Sequence, residues 1–303
     1  MNLRLNKSKL SNGLTVLFQP VPNATSVAIG LWVKIGSRYE NDSEKGYTHF
    51  LEHMLFKGTN KRTAKKQAED IERVGGFFNA VTSREYTYYY VTVASSELEL
   101  GLDILSDMVF SPLLRQEDIK SEANVILEEL KSYEDSPDDY VYDQYFRNIF
   151  KNHPLGQDII GSRESVAGAT ADSIQAYYKK HYIPGRMVLA VAGDFPDDKV
   201  QKLAEKFFSL RVDRPLAALK NEPVEKSFSV HFIKRNLEQV NFLLGAEGFA
   251  RDFKTAVRLN VISNILGGGM SSRLFQKIRE DKGLCYSISA FPSSYLDTGI
   301  MNI

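Results

Sequence analysis

Two rhythms alternate along this chain. Short runs rich in β-branched and aromatic residues predict strands, and longer stretches with apolar residues every three to four positions predict helices. Ser11-Asn12-Gly13 supplies turn chemistry ahead of a strand over Thr15-Val16-Leu17-Phe18. Pro20 to Thr25 interrupt it, and Ser26 to Val33 predict a second, well-buried strand. A helix follows, with Asp42 or Ser43 as candidate caps, Phe50, Leu51, Met54, Leu55 and Phe56 as its buried side, and Gly58 as its stop. Ala64 to Val74 predict another helix, closed by Gly75-Gly76, and Phe77 to Val93 predict two strands around a turn near Ser83. Helices are expected at about 96–109 and 115–134, after Pro137 toward Phe150, from a Thr170 cap through Tyr178, and over Asp197–Leu210; Met187–Ala192 predicts a strand.

Residues 213–226 contain Pro215, Pro223 and several charges without either period, and read as a linker. Beyond it the pattern restarts: strands at Ser227–Ile233 and Gln239–Gly245, helices at Thr255–Leu266 and Ser272–Glu280, and a strand at Cys285–Ala290. That order parallels the opening of the first half. The expected fold is therefore α+β, built from two homologous units over 1–212 and 227–303, with mixed or antiparallel sheets flanked by helices.

Composition narrows the function classes. Among 303 residues, Lys+Arg and Asp+Glu both number 38, so no basic excess draws the chain to nucleic acid or to an anionic membrane. The single cysteine, Cys285, excludes an intramolecular disulfide and fits a reducing compartment. No signal-like or membrane-spanning run is present in the sequence, so a cytoplasmic protein is expected. Gly267-Gly268-Gly269 lacks the ending of a phosphate loop, and Cys285 has no neighbours that mark a nucleophile.

The chemistry concentrates in Thr48-His49-Phe50-Leu51-Glu52-His53-Met54. His49 and His53 lie one helical turn apart on the same face, so both rings can offer a nitrogen to one metal ion at about 2.0–2.1 Å for zinc. Glu52 puts a carboxylate beside them, as metal-assisted hydrolysis requires of a proton acceptor. The bland alternative is a helix whose histidines satisfy local polar groups. Against it, the chain has five histidines and only these two share a turn with a glutamate. A third ligand is open on spacing alone. Glu122 and Glu129, two turns apart, share one face of the helix expected over 115–134, between them Val125 and Ile126 bury it, and charge on a helix is ordinarily a solvated face.

The order His-x-x-Glu-His resembles the zinc helix of the pitrilysin- or insulinase-type (inverzincin) metallopeptidases, and is closest to the processing-peptidase-like bacterial members. Val125 to Leu130 is similar to their segment that completes the metal site. The resemblance implies Glu129 as third zinc ligand, Glu122 as the carboxylate behind the ligands, and Glu52 as the base; Glu128 points about 100° away from Glu129. Gly75 to Glu85 is similar to the family's substrate-binding edge strand. This implies that Asn79, Ala80, Val81 and Thr82 line an extended peptide that joins the sheet. Ser272 to Tyr286 is similar to the second-domain signature, with Arg279 gripping the substrate and Tyr286 bonding the polarised carbonyl oxygen. A zinc endopeptidase with one Zn2+ per chain and a peptide substrate is implied. Two-unit members run further, so the resemblance leads us to expect an incomplete second unit here. Pairing into a homodimer stays open. A catalytically silent scaffold is the alternative, disfavoured by the intact motif; metal storage would not need Glu52.

Overall fold

The computed structural model describes residues 5–196, 198–209, 224 and 229–303. In chain order its elements are β1 (Asn6–Lys9), β2 (Thr15–Pro20), β3 (Ser26–Val33), α1 (Tyr47–Leu55), α2 (Ala64–Glu72), β4 (Phe77–Thr82), β5 (Thr87–Ala94), α3 (Leu98–Phe110), α4 (Gln116–Asp135), α5 (Pro137–Ile149), α6 (Arg163–Ala167), α7 (Ala171–His181), β6 (Met187–Gly193), α8 (Lys199–Phe208), β7 (Gly245–Glu247), α9 (Phe253–Gly267), β8 (Phe291–Ser294) and β9 (Gly299–Asn302). Contacts divide the chain into two compact units. One is Met1–Ser132 with Gln157–Lys220, and the other is Tyr133–Gly156 with Asn221–Ile303.

The first unit is a six-stranded mixed sheet in the order β1-β2-β6-β3-β5-β4. Only β2 and β6 run parallel; the other neighbours are antiparallel. Alternation along β3 and β5 buries Val27, Ile29, Leu31, Val33, Tyr89, Val91 and Val93 on one face, where α1 and α3 pack. The opposite face carries half-exposed aromatic residues. Trp32 stacks on Tyr88 with ring centroids 5.3 Å apart, and Tyr88 lies beside Tyr90. The β4–β5 hairpin turns at Ser83–Tyr86, whose ends are joined by the Ser83 N–H donating to the Tyr86 carbonyl.

The second unit holds a three-stranded antiparallel sheet, β7-β9-β8, with α9 against β8 and α5 contributing Phe146 to a small core with Phe150, Leu155, Tyr295 and Ile300. Here the strand expectations are corrected. No strand forms over 229–243, and pairing begins at Leu244, which exchanges both backbone hydrogen bonds with Ile303 just ahead of β7; residues 227 and 228 lie outside the described residues. Cys285–Ala290 is irregular, with the strand displaced to β8. Val230, Phe232, Val240 and Phe242 do alternate, but all are exposed, and a strand is secured by packing and a ladder partner rather than by propensity. Ser272–Glu280 is helical from residue 273, with π-type turns over Phe275–Glu280. The expected linker over 213–226 lies outside the described residues except at Val224.

Candidate metal centre

α1 starts without the caps expected at Asp42 or Ser43. Its N-cap is Gly46 at φ +86°, and no side chain caps it directly. Glu40 substitutes: its buried carboxylate accepts the Gly46 N–H at 2.8 Å and the Thr48 N–H at 2.7 Å. A Cβ at position 46 would lie 2.5 Å from the Ile160 carbonyl oxygen, so only glycine admits this left-handed turn and the close approach together. Tyr47, Thr48, Phe50, Leu51, Met54 and Leu55 then anchor the helix in the core. Full burial of each large apolar side chain among them is worth about 1.5–3 kcal/mol. The remaining stripe, His49, Glu52, His53 and Phe56, is half-buried.

α4 turns Ile119, Glu122, Ala123, Ile126 and Leu130 inward. Glu122 is thus inside an otherwise apolar stripe, and Glu129 flanks it half-buried. Glu128 is exposed and pairs with Lys131. Val125, expected to help bury this helix, is 49% exposed, because it lies one position off the stripe.

The two helices bring three donor atoms together. His49 Nε2 and His53 Nε2 are 3.3 Å apart, and Glu129 Oε2 lies 3.8 Å from the first and 3.6 Å from the second. Tetrahedral ligands with bonds of about 2.0–2.1 Å sit about 3.3 Å from one another, close to this spacing. Among the described residues no other group of three His, Cys, Asp or Glu side chains converges within 4.8 Å. Burial, with the His53 charge adding to it, drives the His49 pKa down to about 3, so its ring stays neutral. His53 Nδ1 faces Glu122 Oε1 at 2.9 Å. A carboxylate there accepts, so Nδ1 carries the proton and Nε2 keeps its lone pair toward His49 and Glu129. Burial pushes the Glu122 carboxyl up, but bonds from His53 and the Lys57 ammonium outweigh it and hold it below the usual range. The two imidazole Nε2 atoms and one carboxylate oxygen form a donor set of the kind that holds zinc.

Glu52 stands beside this group. Its Oε2 accepts the Thr82 hydroxyl, and burial still pushes its carboxyl above the ordinary value. Thr82 lies on β4, which among the described residues pairs only with β5 and forms an edge of the sheet. Strand alternation divides the four expected substrate-contacting residues. Ala80 and Thr82 face inward, with Phe78 packing on Phe56, whereas Asn79 and Val81 are exposed on the other face.

Residues 15–163 match the family described as insulinase (peptidase family M16), and residues 168–303 match the peptidase M16 inactive domain. An uncharacterised zinc protease of Rickettsia felis is 41% identical over 100% of this chain and 73% of its own length. The chain belongs to the insulinase family. The zinc protease YmxG of Bacillus subtilis, also uncharacterised, is 40% identical to this insulinase-family chain, over 96% of it and 71% of YmxG. Among solved structures, a Helicobacter pylori protease superposes with a TM-score of 0.89 at 25% identity, covering 99% of this chain and 74% of that one. A peptidase M16 inactive domain from Pseudomonas fluorescens shares the fold, with a TM-score of 0.91 at 20% identity over 99% and 74%.

The other residues that the family resemblance singles out, Arg279 and Tyr286, are in the second unit and adjacent to each other. The Arg279 guanidinium lies 4.6 Å from the Phe275 ring centroid and 5.3 Å from that of Tyr286, which is 82% exposed. Sequence reasoning missed three supports of the insulinase motif helix: Glu40 at its start, Lys57 at its end, and the Thr82 hydroxyl on Glu52. Only Lys57 left a signal, one helical turn after His53.

Proposed function

We propose that the chain is a zinc-dependent endopeptidase acting on extended peptides or unfolded segments. One observation carries the reading: His49, His53 and Glu129 converge on a single point with Glu52 at its side. Zinc held by these three ligands would supply Lewis acidity to the scissile carbonyl and acidify a water. Glu52 is the general base, taking a proton from the attacking water and delivering it to the leaving amine. Its raised pKa makes the carboxylate a better acceptor in the first transfer, and the Thr82 hydroxyl holds it in place.

The edge position of β4 supports binding by strand addition, in which backbone hydrogen bonds give affinity without demanding a sequence. Side-chain parity refines this. Asn79 and Val81, both exposed, are the positions assigned to side-chain contacts with the peptide, and Ala80 contributes its backbone. Arg279 is assigned to the substrate backbone and Tyr286 to the carbonyl oxygen, following the family resemblance.

The test is Glu52→Gln. The variant should keep about one zinc per chain while cleavage of a quenched, unstructured peptide falls by about 10²–10⁴-fold. A wild-type protein that holds zinc yet cleaves no such peptide would instead be the silent scaffold. One that holds no metal would overturn the reading altogether.

A further inference from the structure

Glu122 has two carboxylate oxygens and two partners. Oε1 meets His53 Nδ1 at 2.9 Å, and Oε2 meets the Lys57 ammonium. The exposures differ: the Glu122 side chain is 5% exposed and that of Lys57 36%. Lys57 sits just past the end of α1, where its N–H donates to the Met54 carbonyl at 3.1 Å. Glu122 lies on the inward stripe of α4, seven residues before Glu129. A single ion pair therefore joins the end of the helix carrying two candidate ligands to the helix carrying the third.

We infer that Lys57 is a positioning residue of the metal centre: it holds Glu122 in the orientation that fixes the His53 ring and directs its Nε2 at the ion. The inference rests on the zinc-peptidase reading above. His53 restrains only one oxygen of a carboxylate on a side chain with three torsions. The ammonium restrains the other, so the group cannot swing out of the plane that His53 needs. Exposed ion pairs contribute little, but here the acidic partner is buried. Removing the ammonium leaves an oxygen of a buried carboxylate unpaired, which is costly and which a rotation toward solvent would relieve. That rotation is what would release the His53 Nδ1 proton from its acceptor, and outer partners of this kind set metal affinity.

Two substitutions separate the charge from the packing. Lys57→Met keeps the apolar stem and removes the ammonium; Lys57→Arg keeps a cation. Zinc affinity is measured by competition with a chromogenic chelator, the His53 tautomer by nitrogen NMR of the zinc-free protein, and kcat and KM on the quenched peptide. Lys57→Met should bind zinc about 10–100-fold more weakly, lose the single Nδ1-protonated His53 signal, and lower kcat with KM little changed. Lys57→Arg should restore most of each. If Lys57→Met binds zinc as tightly as the wild type, the inference is overturned, even when its thermal stability drops. Equal losses in the Met and Arg variants overturn it too, since charge would then be irrelevant. If the wild type itself binds no zinc, the peptidase reading is what fails.

Discussion

At the level of single residues, the hydroxyl of Thr82 separates two roles that share one strand. The resemblance puts Thr82 among the substrate-contacting residues, yet its side chain is committed to Glu52. Thr82→Val keeps the β-branched shape and should lower kcat by on the order of ten- to hundredfold, the worth of one hydrogen bond to a carboxylate, with KM nearly constant. Thr82→Ser should recover most of it, and a loss confined to KM would return Thr82 to the substrate. A second residue sets a pH dependence away from the metal site. His181 Nδ1 faces the Arg186 guanidinium at 3.0 Å; an arginine only donates, so Nδ1 must accept. Burial first, then Lys180 and Arg186, depress its pKa from 6.5 to about 3. Below pH 6.5 the unfolded chain takes up a proton that the folded chain refuses until about pH 3. The stability from this group is thus complete above 6.5 and lost as the pH falls through that window. Denaturant titrations of His181→Gln and the wild type should show the variant with the shallower acid slope.

At the level of elements, α1 shows why some features were legible in the sequence and others were not. The period of Phe50, Leu51, Met54 and Leu55 fixes which stripe is buried, so His49, Glu52 and His53 could be grouped from spacing alone. The start could not be read. The Glu40 carboxylate reaches past the nearer Asp42 and Ser43, and it does so only because Gly46 turns left-handed against residues 160 and 161. Gly46→Ala should cost about 1–2 kcal/mol from the backbone conformation alone, with more from the overlap. Its melting temperature should fall and its zinc affinity weaken together; an unchanged affinity would show that the helix start does not set the ligand geometry. The short α6 was missed for a related reason. Five residues give no period, and its capping box uses Ser162 and Ser165 rather than an acidic partner. Strand expectations failed in the second unit alone, where alternation was present but, among the described residues, 229–243 pair with no strand.

At the level of the whole molecule, the two units differ in how much they bury. The first has one continuous core running through β2, β3, β5, β6 and the helices α1, α3, α4, α7 and α8. In the second, Phe232, Val240, Phe253, Met270 and Leu284 are each at least 70% exposed. Local stability follows buried apolar contact and protected hydrogen bonds. Amide exchange should therefore be slowest in β3, β5 and β6 and fast over 229–243; comparable protection in the two regions would contradict the division. The chain carries its own reporter for following this. Trp32 is its only tryptophan and lies flat against Tyr88 on β3 of the first unit. Intrinsic emission selected for tryptophan thus registers the melting of the first unit, and the second contributes none. A gap between that optical transition and the loss of far-ultraviolet ellipticity would time the two halves separately, with no label added.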